Sequence, residues 1–346
     1  MQFGPVPLDQ AEGTVLAHSV PLPGGKRLRK GKVLAREDIK ALAGAGLTWV
    51  TVARLEVGDI DEDAAALQLA QALVPDPDAA GLRLQVVGTG RVNILAEGPG
   101  VARVGAGQVH AVNACDPSIT LATVPEWTRM DPGGMVATVK IITYALPGAA
   151  LNQACAAGQG ALSLCAPALR RAALIQTSVG GKDDGAKGQR VIGERLERLG
   201  VVLGPQTVVA HDEATLAQAL EAAEGELVLI LTGSATSDSR DVAPNALRRA
   251  GGVVEHFGMP VDPGNLLFVG DLGGRPVVGL PGCARSPALN GADWVMERLI
   301  CGVQVRGADI VGMGVGGLLK EIPSRPRPRT LTREAESDTG RDGPGN

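Results

Sequence analysis

Hydroxyl and carboxylate side chains crowd one short stretch of the chain, the sequence TGSATSDSRD at positions 232–241. Small residues such as Gly233 let a bound group approach the backbone closely. A helix predicted to begin near Asp241 leaves N–H groups free at its N-terminus, where the helix dipole is positive. The stretch therefore predicts a pocket for phosphate or another oxyanion, with hydroxyls from Thr232, Ser234, Thr236 and Ser237.

Two carboxylates lie at the end of this stretch, Asp238 and Asp241. They would repel a bound anion unless a cation sits between them, and Mg²⁺ bridging a carboxylate and a phosphate is the usual solution. Asp241, which stands at the predicted helix start, could therefore combine capping with a catalytic or metal-binding role. The alternative is that Asp241 only caps its helix, and the local pattern leaves both roles open.

A second polar loop, PGCARS at 281–286, follows a strand predicted over 276–280. Pro281 and Gly282 form a turn, and Arg285 is a natural partner for phosphate or carboxylate. Ser286 followed by a proline is typical of a helix start, so a helix is predicted from Ser286 to Ile300. Cys283 is either a reactive thiol near that helix start or a small filler residue.

A third polar loop, TSVGGKDDG at 177–185, carries Lys182, Asp183 and Asp184. These side chains are expected to be solvated unless the loop folds over the pocket. The four histidines show no spacing typical of a metal site or a catalytic triad. Asp262 and Asn265 could face the pocket, although turn formation explains them equally well.

The elements that carry these loops alternate between strand and helix from residue 170 onward. Strands are predicted over 172–176 and 227–231, and helices over 186–199, from the cap Asp212 to about 223, and from Asp241 to 249. This alternation predicts a three-layer α/β domain with a largely parallel sheet. Because ligands bind at the carboxyl ends of such strands, the three polar loops are expected to converge at one edge.

The preceding part of the chain has a different pattern of predicted secondary structure. Residues 1–60 predict short strands, a helix over 36–45 and a basic cluster that is either a solvated hairpin or an anion patch. A helix is predicted over 61–74, a break at 75–78, a mostly β region over 82–146, and a connecting helix over 151–157. Gly88 and Gly90 suggest a dinucleotide fingerprint, but Asn93 replaces its third glycine and a strand is predicted to follow.

The C-terminal end is glycine-rich and then polar. The segment GMGVGG at 312–317 lacks the Lys-Ser/Thr of a phosphate-binding loop. The basic segment RPRPR at 325–329 is expected to be extended, and residues 331–346 are expected to be disordered.

Composition limits the function classes. The 346 residues carry a net charge of −4, which argues against a nucleic-acid partner. Five cysteines at wide spacing favour a reducing compartment. Neither a secretory signal nor a run long enough to span a membrane is visible, so a cytoplasmic protein without a membrane partner is predicted.

Two of these loops resemble those of a known family. TGSATSDSRD is similar to the TGG-x-S-x-G-x-x-D signature of MoaB/Mog-type molybdopterin-binding domains, and LPGCARS at 280–286 is similar to their LPGNP-x-S. Asp262-Pro263-Gly264 resembles the intervening loop. The N-terminal VPLDQAEGTVLAHSV resembles the opening of MoeA-like proteins, which carry the same domain and insert molybdenum into molybdopterin.

The resemblance implies a fold and a division of the chain. A MoeA-like α+β region over 1–75 and a β-rich domain over 82–150 would precede a three-layer αβα domain over 168–302. A Gly-rich segment and disordered tail would complete the chain over 303–346. The fold class is therefore α/β, with a molybdopterin-binding domain preceded by a smaller mixed and β-rich region.

The resemblance also implies a ligand, molybdopterin in its free, adenylylated or molybdenum-loaded form. The positions that match the family's loops are Thr232, Gly233, Ser234, Thr236, Pro281, Gly282 and Ser286, with Asp241 at the metal or molybdate end. Asp238, Cys283 and Arg285 lie in the same two loops and are expected to border the ligand as well. Ser234 and Asp238 stand where the family has glycines, Cys283-Ala284 replace Asn-Pro, and the SAMDGYA motif of full molybdotransferases is absent.

Three functions remain open. The first is molybdopterin binding in molybdenum cofactor biosynthesis, with molybdate transfer to adenylylated molybdopterin and Mg²⁺ near Asp241. The second, favoured by the departures from the signature, is a non-catalytic carrier that delivers the cofactor to a nucleotidyltransferase or a molybdoenzyme. The third is an unrelated nucleotide-binding α/β enzyme. The family resemblance also implies a homo-oligomer.

Overall fold

The computed structural model describes residues 1–181 and 184–319. Lys182 and Asp183 of the third polar loop lie outside the described residues, as do the RPRPR segment and the tail over 331–346.

The first region is a small α+β unit. Its sheet has the order β1-β5-β2 and is antiparallel, with helix α1 packed beside it. The basic cluster lies on and just after the β3–β4 hairpin with its side chains exposed, as expected for a solvated hairpin. The elements are β1 (Gln2–Pro7), β2 (Val15–Leu16), β3 (Val20–Pro21), β4 (Arg27–Leu28), α1 (Arg36–Gly44), β5 (Trp49–Arg54) and β6 (Asp59–Asp61).

The second region is built on two antiparallel sheets, with the orders β10-β12-β8-β7 and β11-β9-β14, and its core is almost entirely aliphatic. A third ladder joins β13 to β6. The elements are α2 (Glu62–Leu73), α3 (Pro77–Ala80), β7 (Leu82–Val86), β8 (Arg91–Ala96), β9 (Gly100–Val104), α4 (Ala106–Cys115), β10 (Ile119–Thr123), β11 (Arg129–Met130), β12 (Met135–Ile141), β13 (Ala145–Pro147), α5 (Gly148–Gly158) and β14 (Leu162–Cys165).

Helix α4 corrects the prediction of a mostly β segment. Its sequence AGQVHAVNAC is dominated by small residues, and only Val109 and Val112 are buried, so its helical periodicity is weak. Packing against α5 and β10 stabilises it instead. The Gly88–Gly90 turn closes the β7–β8 hairpin, which confirms that it is no dinucleotide loop.

The third region alternates strand and helix, as the sequence predicted. The elements are β15 (Arg171–Ser178), α6 (Ala186–Glu197), β16 (Val202–Leu203), β17 (Thr207–Ala210), α7 (Glu213–Ala222), β18 (Leu227–Leu231), α8 (Val242–Arg249), β19 (Val253–Phe257), β20 (Phe268–Leu272), β21 (Arg275–Leu280), α9 (Gly291–Ile300) and α10 (Gly307–Gly312).

Its seven strands form one sheet with the order β16-β15-β18-β21-β20-β19, in which β17 also pairs with β15. The ladders of β15 with β16, β17 and β18, and of β18 with β21, are parallel, whereas β20 is antiparallel to both neighbours. Alternate residues of β18 pack on opposite faces: Leu229 lies in the core that α6 and α9 share, and Ile230 in the core that α7 and α8 share. Helices on both faces of the sheet confirm the three-layer α/β fold.

The last long helix begins later than predicted. Gly282–Arg285 form a 3-10 turn, Ser286 is extended, and α9 begins at Gly291. Asn290 caps it, because its Oδ1 accepts the N–H of Ala292 (3.0 Å) while Asp293 Oδ2 accepts the N–H of Asn290 (2.8 Å). This reciprocal capping box outcompetes the Ser-Pro start that the sequence suggested.

Across the residues that the structure describes, every helix is too short or too polar to cross a membrane.

Candidate functional site

The three polar loops meet at one edge of the sheet. Strands β15, β18 and β21 are adjacent and parallel, with Gln176 opposite Leu231 and Leu231 opposite Leu280. The loops that leave these strands therefore begin side by side, as expected for the carboxyl edge of an open α/β sheet.

The central loop, residues 232–241, is supported by two buried hydroxyls. Thr232 and Thr236 are 4% and 6% exposed. The Thr232 hydroxyl donates to the carbonyl of Ser234 (2.6 Å) and lies 3.4 Å from the Thr236 hydroxyl. These two threonines support the loop from its buried side, whereas Gly233, Ser234 and Asp238 are exposed.

Several backbone donors of this loop are not used within the protein. Within the described part of the chain, the N–H groups of Ser234, Ala235 and Thr236 donate to no acceptor. They lie between the end of β18 and the N-terminus of α8, where successive free amides favour an anion. This is the arrangement that the sequence predicted for phosphate.

The N–H of Gly233 is used differently. It donates to the Thr177 hydroxyl (2.9 Å), and that hydroxyl lies 2.8 Å from Nδ1 of His211. A Cβ at Gly233 would come within 2.6 Å of the Thr177 carbonyl oxygen, so glycine is required by close approach to β15. The N–H of Gly233 is therefore already bonded within the protein, and a part for Gly233 in anion binding stays a prediction.

Thr177 and His211 were missed as neighbours of the site by reasoning from sequence. Thr177 is the next-to-last residue of β15, and His211 directly follows β17, the strand paired with β15. The usable signal was their position: each lies at the carboxyl end of a parallel strand, next to the predicted pocket.

Asp241 caps α8. Its Oδ1 accepts the N–H of Val242 (2.7 Å) and its Oδ2 accepts the N–H of Ser237 (3.0 Å). Asp238 is exposed, and its Oδ1 accepts both the backbone N–H (2.8 Å) and Nε (3.0 Å) of Arg240. The Arg240 guanidinium holds the pKa of Asp238 below its usual range. The structure thus shows capping for Asp241, and a further role remains a proposal.

The second loop, residues 281–286, is tied to the central one. Arg285 Nη2 donates to the carbonyl oxygen of Thr232 (3.0 Å). Pro281 is buried, whereas Gly282, Cys283 and Ser286 are exposed at the edge. Cys283 Sγ lies 3.0 Å from Asn290 Nδ2, so the thiol contacts the cap of α9 and is not itself at a helix start.

Arg195 on α6 holds this second loop in place. Its guanidinium donates to the carbonyls of Ala284 (3.0 Å), Ser286 (2.7 Å) and Ala288 (3.0 Å), and Nε pairs with Asp293 Oδ1 (2.5 Å). Both partners of this ion pair are about 10% exposed. A guanidinium that makes several hydrogen bonds while it is shielded from water fixes the loop far better than a surface ion pair would. Nothing in the local sequence indicates this role.

The intervening loop packs on the glycine-rich segment. Asp262 donates its N–H to the carbonyl of Gly317 (2.8 Å) and accepts from the N–H of Leu319 (2.9 Å). Asn265 is exposed, and its side-chain amide donates to the carbonyl of Met259 (3.4 Å). The GMGVGG segment therefore serves to cover this loop.

The carboxylates do not gather into a metal centre. Among residues 1–181 and 184–319, no group of three or more His, Cys, Asp or Glu is placed to hold a metal ion. Any ion at Asp241 would take most of its ligands from a bound phosphate and water, as Mg²⁺ commonly does.

Comparisons with known proteins agree with this site. The family model described as "Probable molybdopterin binding domain" matches residues 187–299, and a domain of unknown function matches residues 5–54. No curated protein matches the chain.

Two solved structures are similar to parts of it. One is a molybdopterin biosynthesis MoeA protein from Pyrococcus horikosii, at 16% identity and TM-score 0.31, over 87% of this chain and 75% of that one. The other is molybdenum cofactor biosynthesis protein B, at 17% identity and TM-score 0.28, over 40% of this chain and 92% of that one. Both likenesses are weak, so the family model carries the assignment. Residues 187–299 therefore match a family of molybdopterin-binding domains, that of the MoaB/Mog type.

Proposed function

We propose that this protein binds molybdopterin through the loops at 232–241 and 281–286 as part of molybdenum cofactor biosynthesis. The observation that carries the proposal is the row of free N–H groups at Ser234, Ala235 and Thr236, beside the N-terminus of α8 and inside the matched domain. A pterin phosphate is the anion that these amides would accept.

The neighbouring side chains supply the rest of the site. The hydroxyls of Ser234 and Ser286 and the guanidinium of Arg285 would bind phosphate oxygens, and Thr232 and Thr236 would hold the loop in shape. Pro281, Gly282 and Cys283 would border the pterin ring. Asp238 and its Arg240 partner would lie at the exposed rim.

Two forms of this function differ in chemistry. In the transferase form, adenylylated molybdopterin takes up molybdate and AMP is released, with Asp241 at the reacting end. Mg²⁺ would neutralise phosphate charge there, held by Asp241, phosphate oxygens and water. In the carrier form, the protein holds the cofactor and hands it to a nucleotidyltransferase or a molybdoenzyme.

One observation favours the carrier form. Both carboxylate oxygens of Asp241 already accept backbone N–H groups, from Val242 and Ser237. Each oxygen retains a lone pair, but its position is fixed by capping α8. We further propose a cytoplasmic homo-oligomer, in keeping with the sequence-based expectation.

A titration separates these forms. Purified protein is titrated by calorimetry with molybdopterin and with adenylylated molybdopterin, and molybdate and Mg²⁺ are then added while AMP is measured. Binding of the pterin without AMP release supports the carrier, whereas AMP release that depends on molybdate supports the transferase. Failure to bind either pterin, with binding of NAD or ATP instead, would show an unrelated nucleotide-binding enzyme.

A matched pair of variants locates the binding. Thr232→Val removes a buried hydroxyl from under the loop and should weaken pterin binding about fivefold, since one hydrogen bond is worth roughly 1 kcal/mol. Thr120→Val removes an exposed hydroxyl on β10, which donates to the carbonyl of Lys140, and should leave binding unchanged. Equal effects of both changes would place the ligand elsewhere.

A further inference from the structure

A groove lies outside the candidate site, between the loop at 125–129 and the helices α6, α9 and α10. It consists of two clefts of about 450 and 500 Å³, which share Pro125, Trp127, Thr128 and Trp294. We call it the tryptophan groove. None of the residues that line it belongs to the loops at 232–241 or 281–286. Its clefts fall within the usual size range of small-molecule sites.

Two indole rings face this groove although aromatic residues make up only 2% of the chain. Trp127 and Trp294 are half-buried. Trp127 has a φ of 64°, a left-handed conformation that is unfavourable for a bulky side chain. Hydrogen bonds of the loop to Ala102 hold it there: Trp127 N–H donates to the Ala102 carbonyl (2.7 Å), and Ala102 N–H donates to the Thr128 carbonyl (2.9 Å). Strained residues held in this way are typical of ligand sites.

A guanidinium lies beside the rings, and the described residues offer its side chain no hydrogen-bond acceptor. The Arg298 Cζ is 5.8 Å from the centroid of the Trp127 ring. Its Nε is buried and, within the described residues, has no acceptor. Glu126 and Asp309 line the same cleft, but no described carboxylate comes within 4.0 Å of Arg298. A buried, charged donor left in this state is costly unless a ligand supplies the acceptor.

We propose that the tryptophan groove binds an anion that carries a planar ring, of the chemical class of a nucleoside monophosphate. The ring would stack on the indoles of Trp127 and Trp294, and the phosphate would accept hydrogen bonds from Arg298. The carboxylates of Glu126 and Asp309 would accept hydrogen bonds from ribose hydroxyls, which distinguishes a nucleotide from a simple anion. None of the groove residues that would contact this ligand lies in the proposed pterin loops, although Arg195 borders both sites, since it lines one cleft and holds the loop at 281–286.

Intrinsic fluorescence tests the proposal in a Trp49→Phe background, which removes the third tryptophan, an exposed residue of β5 outside the groove. Adenosine monophosphate should quench the remaining emission in a saturable way. Adenosine, which lacks the phosphate, should bind at least tenfold more weakly, and inorganic phosphate alone should cause no quenching. No saturable change with adenosine monophosphate up to about 5 mM would overturn the proposal.

Variants assign the contacts. Arg298→Gln should weaken adenosine monophosphate binding at least tenfold, whereas Arg83→Gln, which removes an exposed guanidinium paired with Glu97, should not. Trp294→Phe should reduce quenching and affinity together, with circular dichroism as the check on folding. Unchanged affinity in Arg298→Gln, or loss of binding in Thr232→Val instead, would contradict the proposal. Molybdopterin binding should be the same in Arg298→Gln as in the unmodified protein.

Discussion

The guanidinium of Arg285 reaches across the edge of the sheet and donates from Nη2 to the carbonyl oxygen of Thr232 over 3.0 Å. Thr232 directly follows β18, and Arg285 ends the turn that follows β21. The two halves of the candidate site are thereby joined through a single side chain. Arg195 fixes the other side of the second loop, so this edge of the site is held rigidly before any ligand binds.

Arg285→Gln should weaken molybdopterin binding tenfold or more, because it removes both the link to Thr232 and a positive charge near the phosphate. Arg285→Lys keeps the charge but loses the planar fork and should give an intermediate affinity. Calorimetric titration measures both. If the lysine and glutamine variants bind equally well, the charge plays no part in binding.

Gly233→Ala should destabilise the protein by about 1–3 kcal/mol, because a Cβ there would meet the Thr177 carbonyl at 2.6 Å. Gly282→Ala is the matched control from the same site, since the nearest atom to its added Cβ is 4.0 Å away. Urea unfolding of both variants gives the comparison. A similar free energy of unfolding for the two would show that β15 and the central loop separate easily.

Asp241→Asn should leave the free energy of unfolding nearly unchanged, because asparagine caps helices as well as aspartate does, whereas Asp241→Ala should cost about 1 kcal/mol. If Asp241 also acts in molybdate transfer, the asparagine variant should lose AMP release while still binding the pterin. Asp212→Ala, which removes the cap of α7, is the control for a purely structural loss. Unfolding of the asparagine variant would contradict this division of roles.

The buried carboxyl of Glu297 should make stability depend on pH. Burial, together with the Asp293 carboxylate, raises the pKa of Glu297 from 4.5 to about 7, against the opposing effect of Arg129. Between these two values the folded protein holds a proton that the unfolded chain releases. The contribution of this group to stability is therefore lost as pH rises from about 5 to above 7.

Glu297→Gln should remove that dependence. Compared with the unmodified protein, its free energy of unfolding should be similar near pH 5 and higher near pH 7.5, by on the order of 3 kcal/mol. Glu221→Gln, which changes an exposed carboxylate on α7, is the control. Its free energy of unfolding should vary with pH in the same way as that of the unmodified protein. Urea unfolding at both pH values measures these free energies. If the free energy of unfolding of Glu297→Gln varies with pH as it does in the unmodified protein, the Glu297 carboxyl is solvated.

The local pattern of the sequence determined much of the C-terminal domain. The run at 227–231 forms β18 with the predicted bounds, and Asp212 and Asp241 cap α7 and α8 as predicted. These features depend on residues within one or two turns of each other, so a short stretch of sequence is enough to specify them. The convergence of the loops followed from the parallel order of the strands.

Tertiary structure decided the points at which two local signals competed or none existed. α9 begins after Asn290, because its capping box with Asp293 is completed by the Arg195 pair on another helix. Helix α4 forms despite weak periodicity, because α5 and β10 cover it.

The partners of the site also come from distant parts of the chain. Thr177 and His211 meet at Gly233, and Trp127 meets Arg298, only once the strands and helices have packed. Sequence alone therefore determined which loop could hold an anion and which family the domain resembles. Packing decided which donors in that loop stay free and where a second cleft opens, because contacts between distant residues depend on how whole elements fit together.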